Sequence, residues 1–142
     1  MSRPKRLWVV ALVNVAAGVL SLAAIGFLLA KSLPFARALI LSFAPTVLIC
    51  GVLIASSIFA FLGHGRSRWI ALGAAILFFG IHLIQSLWFY YHPTLPPEEM
   101  PSLAPIVERN SLAIVLNLWA FLSDKTDEFF DAVGPSMRSR GP

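Results

Sequence analysis

"WIALGAAILFFGIHLIQSLWFYY", residues 69–91, decides what kind of molecule this is. It contains no Asp, Glu, Lys or Arg, and the uncharged run goes on to Pro97. As a helix rising 1.5 Å per residue, 23 residues extend about 35 Å, enough to cross roughly 30 Å of hydrocarbon. Lipid offers the backbone no hydrogen-bond partners, so such a segment must bond within itself. A helix does so and a lone strand does not. Two strong hydrogen-bonding side chains, His82 and Gln85, sit near its middle and need partners there.

Moving outward, two further runs have the same character. Leu7 to Ala30 is uncharged between Arg6 and Lys31, and Ala38 to Gly63 is uncharged between Arg37 and His64. Pro45 lies about two turns inside the second run, where a mild kink is expected. A fourth segment, Asn110 to Ser123, is shorter, and its length also suits an interfacial helix. Extended back to Pro105 it takes in Glu108 and Arg109, whose long side chains reach headgroups from an outer turn. The reading is thus all-α: a polytopic membrane protein, a four-transmembrane-helix bundle with antiparallel neighbours. Its helices are expected at about 7–30, 38–63, 69–91 and 105–123, the last extending toward 133. Residues 1–133 form one helical membrane domain, and 134–142 are expected to be a disordered tail.

Composition agrees. The 142 residues are 58% hydrophobic and 13% charged, against roughly 25% charged in soluble domains. The single cysteine, Cys50, excludes an internal disulfide and a cysteine-based metal cluster. A net charge of +4 raises the question of nucleic acid, but the basic residues flank apolar runs and form no patch with interleaved aromatics. They read as topology signals. With both termini cytoplasmic, Arg3, Lys5, Arg6, Arg66, Arg68, Lys125, Arg138 and Arg140 lie inside, and Lys31, Arg37 and Arg109 outside. Three spans alone would move the tail's basic residues outside and erase this bias, so the count favours four. A bacterial cytoplasmic membrane is the expected location. The first run is longer than the apolar core of a cleavable signal peptide.

The connections carry their own signals. "HPTLPPEEMPSLAP", residues 92–105, should be extended, because proline fixes φ and lacks an N–H. It reads as a stiff connector or a partner-docking loop. After the fourth helix, Asp124, Asp127, Glu128 and Asp131 alternate with Phe129, Phe130 and Val133. That pattern predicts a continuation of the fourth helix with its apolar side on the membrane surface, stopped at Gly134-Pro135.

The short linker "HGRSR" forces the second and third helices into an antiparallel hairpin. Equal depth then sets His82 level with Cys50, Gln85 with Thr46, Phe78 with Leu53 and Ala75 with Ser57. Thr46, Cys50, Leu53 and Ser57 make one helical stripe, and Ala75, Phe78, His82 and Gln85 another. The expectation is a Gln85–Thr46 hydrogen bond and an acceptor for His82 near Cys50. Asn14 and Asn117 fall at similar depth and are expected to pair. Small residues beside Asn14, from Ala17 and Gly18 to Ala24, allow close helix approach.

These polar residues imply packing contacts before chemistry. A mid-membrane histidine invites haem, quinone or proton-transfer readings. However, His64 and His92 lie near opposite surfaces, the three long runs hold no carboxylate, and no acid–base pair or nucleophile with a base is visible. No catalytic residue, cofactor or metal site is assigned. The expected function is non-enzymatic: a small accessory, assembly or interaction subunit whose partners are the lipid bilayer and a membrane protein or further copies of itself, not nucleic acid. The alternative is a homo-oligomeric small transporter or channel. The chain is similar in outline to the small multidrug resistance transporters, but that resemblance requires a carboxylate in the first helix. Asn14 stands there instead, so the likeness stops at the outline.

Overall fold

The computed structural model describes residues 4–31, 36–92 and 102–138. The proline-rich segment 93–101 and residues 139–142 of the expected tail lie outside them. Among the described residues all regular structure is helical: α1 (Lys5–Lys31), α2 (Ala36–Phe61), α3 (Gly65–Tyr91), α4 (Leu103–Phe121) and α5 (Asp124–Arg138). Three stretches, Lys5–Lys31, Phe43–Phe61 and Gly65–Trp88, are long and apolar enough to cross a membrane. α2 runs unbroken through Pro45.

The outer surface is the reverse of a soluble protein's. Leu20, Leu48, Ile84 and Trp88 are each more than 60% exposed on three different helices. Contiguous apolar surface of this kind, wrapped around the long helices, has lipid as its natural solvent. The interior mixes small and polar groups with a few large apolar side chains. α1 packs on α2, α2 on α3 and α3 on α4, with α1 also touching α4. One core cluster joins Cys50 and Leu53 of α2 to Ala74, Ala75, Phe78 and Phe79 of α3 and Ala113 of α4. Gly18 sets the α1–α2 spacing: a Cβ there would stand 2.7 Å from Ile54 Cγ1.

The α2–α3 hairpin turns on a Schellman motif. Gly63 takes a left-handed φ of 97°, its N–H donates to Ala60 O, and the His64 N–H donates to Phe59 O, both at 3.0 Å. That is the 5→2 and 6→1 pattern of a glycine-terminated helix. The His64 ring completes it, edge-on to Phe59 with centroids 5.5 Å apart. Its carbonyl then accepts from Ser67 N at 3.0 Å and opens α3.

The fourth helix does not continue toward residue 133 in one piece. It ends at Phe121, and after Leu122 and Ser123 a separate α5 begins. Ser123 O accepts from Thr126 N and Asp127 N, while Thr126 Oγ1 donates back to Ala120 O at 2.7 Å. These bonds satisfy the break. The apolar side of α5 does not face a membrane surface either. Thr126, Phe129 and Phe130 are buried, and the two rings pack with Leu7, Val10, Ala60, Ala71, Leu72, Ala120 and Phe121, the residues at one end of α1 to α4. Nor does Gly134-Pro135 stop the helix, which reaches Arg138. α5 is therefore a cap across the end that holds the α2–α3 turn.

Candidate functional site

A fully buried polar group spans three helices. Asn14 on α1 and Asn117 on α4 are both fully buried, as is Ser57 on α2. Asn14 Nδ2 donates to Asn117 Oδ1 at 2.8 Å and to Ser57 Oγ at 3.2 Å, and Asn117 Nδ2 donates back to Asn14 Oδ1 at 3.1 Å. The second Asn117 proton goes to Ala113 O at 2.8 Å. Every amide proton is accounted for. Ser57, placed on the stripe facing α3, turns to α1 instead. Carboxamides do not titrate, so this triad ties helices together and moves no protons.

His82 and Gln85 behave otherwise. The His82 Nδ1 lies 2.7 Å from Phe78 O on its own helix. A carbonyl only accepts, so Nδ1 carries the proton, and in the neutral ring Nε2 is left as an acceptor. The expected acceptor near Cys50 is not used. Cys50 itself is buried and free, packed with Leu53, Ala75 and Phe78. The expected Gln85–Thr46 bond is also absent among the described residues: Gln85 is exposed, and a groove opens where the two helices should have met. For His82 the physical reason is local competition. A polar side chain in a helix reaches the carbonyl one turn back without help from a neighbour. Ser56 bonds Val52 O, and Ser86 bonds His82 O, in the same way.

Two grooves meet at His82. The first, about 490 Å³, lies between α1, α2 and α3 and includes Ser21, Thr46, Phe78, His82 and Gln85 in its walls. The second, about 460 Å³, lies between α1, α3 and α4 and shares Ser21, Phe78 and His82. Its far wall carries Arg109 and Asn110. Asn110 is buried, and its Nδ2 has no hydrogen-bond partner. Both volumes fall in the roughly 300–1,000 Å³ range of small-ligand sites.

No known protein family, characterised protein or solved structure matches the chain. Among the described residues no three His, Cys, Asp or Glu side chains converge as metal ligands would. His92 stacks on Trp88, with centroids 4.1 Å apart, at one end of α3, and His64 belongs to the turn at the other.

Sequence reasoning missed two features. One is the orphaned Asn110 beside Arg109, whose signal was only a polar pair inside an apolar helix. The other is Arg68, buried beneath α5, where its Nη1 donates to Asp127. Its guanidinium lies 4.8 Å from the Trp69 ring and 5.7 Å from that of Phe130. In the sequence Arg68 is a topology signal alone.

Proposed function

We infer that this chain is a four-span membrane protein acting as a small accessory or interaction subunit, with no catalytic role. In this reading both termini lie on the cytoplasmic side of a bacterial cytoplasmic membrane. The fourth span is α4, whose 19 residues extend about 28 Å. Leu112, Val115 and Trp119 point outward along it, each at least half exposed.

The observation that carries this reading is the closed Asn14–Ser57–Asn117 triad. These three fully buried side chains bond one another, which supports reading the interior there as a joint between helices whose outer apolar faces remain for neighbours. Mild-detergent purification after in-membrane cross-linking tests it. The expected result is a defined stoichiometric partner or self-assembly. A monodisperse monomer that cross-links to nothing overturns it. Span number is tested separately by labelling cysteines placed at residues 2 and 140 in intact cells: with four spans, both stay protected from a membrane-impermeant reagent.

A homo-oligomeric transporter or channel is the second reading, favoured by the two side grooves meeting at His82. Reconstituted vesicles that show solute flux abolished by His82→Leu would favour it over the first.

A further inference from the structure

We propose that the groove between α1, α3 and α4 binds one anionic phospholipid, its head on Arg109 and Asn110 and an acyl chain along the apolar wall. The inference rests on α4 standing in the bilayer beside α1 and α3. Three independent features converge on it. Most of the groove wall is apolar, lined by Leu20, Phe79, Leu112 and Leu116 among others. At one position its wall changes character: Arg109 brings a cation that no carboxylate pairs with among the described residues, its exposed neighbour Glu108 included. Next to it Asn110, buried to within 4% of completely, presents an Nδ2 with no acceptor.

Buried donors are nearly always paired, and an orphan in a native structure asks for a missing group. What is missing here is an acceptor that can also carry negative charge. Arg109 lies six residues after Leu103, or about 9 Å along the helix. A long side chain from that depth reaches upward to headgroup level. A phosphodiester with a hydrocarbon tail supplies both halves of the complement, anion above and methylenes below.

The test uses the full chain, purified in a nonionic detergent and stripped of lipid. It is incubated with phosphatidylglycerol or phosphatidylcholine of identical acyl chains, and bound lipid is counted by native mass spectrometry. The wild type should hold the anionic lipid about tenfold more tightly, the scale of one charge-assisted hydrogen bond. Arg109→Gln should abolish that preference. Asn110→Leu should weaken retention severalfold while leaving the lipid-free unfolding midpoint unchanged or higher, because the amide it removes has no partner. Lys125→Gln, an exposed cation on α5, should change nothing. Equal retention of the two lipids by the wild type, or an undiminished preference in Arg109→Gln, overturns the proposal. Displacement of the lipid by millimolar inorganic phosphate also overturns it, since the site would then hold a free anion. None of these results bears on whether a protein partner cross-links, so the two readings fail separately.

Discussion

Asn14 makes three hydrogen bonds with two other helices, and Asn110, on the same helix as its partner, makes none from its amide nitrogen. Identical chemistry thus has opposite consequences. Replacing Asn14 by Ala strands the Asn117 amide and opens a small void. Intramembrane hydrogen bonds average about 0.6 kcal/mol, so with all three bonds lost the expected cost is about 2 kcal/mol in detergent unfolding. Asn14→Leu combined with Asn117→Leu should cost less than the sum of the single changes, since neither partner is then left unpaired. Additive losses would show the two amides to be uncoupled. The depth of Asn14 and Asn117 could be reckoned from the sequence, because span ends set depth. The fate of His82 and Gln85 could not. Hairpin register predicts which residues lie level, but a side chain is free to bond its own backbone, and His82 bonds Phe78 O.

At the scale of the helix, glycine placement separates contact from tolerance. Gly18→Ala should destabilise, because the new Cβ meets Ile54 Cγ1, an atom close to the backbone that cannot swing away as a chain end could. Gly26→Ala, with nothing within 4 Å of the new Cβ, should be neutral or stabilising by up to about 1 kcal/mol from helix propensity. Equal unfolding midpoints for the two variants would contradict the close approach of α1 and α2, and adding Ile54→Ala to Gly18→Ala should restore much of the loss. The long helices were legible in the sequence because lipid imposes one rule along their whole length. The break before α5 runs against the expected continuous helix, although the sequence carries a signal for it. Ser123 followed by Asp124 and Asp127 is a helix start with acidic groups in the first turn. The apolar residues on both sides of it, Phe121 and Phe129, masked the boundary.

Over the whole molecule, α5 locks one end, and the Arg68–Asp127 pair holds it in place. The pair is lopsided: the Arg68 side chain is 6% exposed and that of Asp127 52%. Asp127→Asn therefore leaves a buried cation without its anion. It should cost about 1–2 kcal/mol, less than a fully buried pair because Asp127 is half in solvent. Arg68→Leu leaves only a carboxylate that water can serve and should cost less. Limited proteolysis within 124–138 checks both: cleavage should accelerate in Asp127→Asn more than in Arg68→Leu, and the reverse order would disprove this account of α5. The Asn14–Asn117 bond has a further consequence, for biogenesis. Its two residues are 103 positions apart, so the first helix leaves the ribosome long before its partner is translated. Until then Asn14 has only Ser57 to answer it, and a nascent chain released ahead of Asn117 retains an open amide in lipid, a mark by which membrane quality control can distinguish the unfinished product from the finished one.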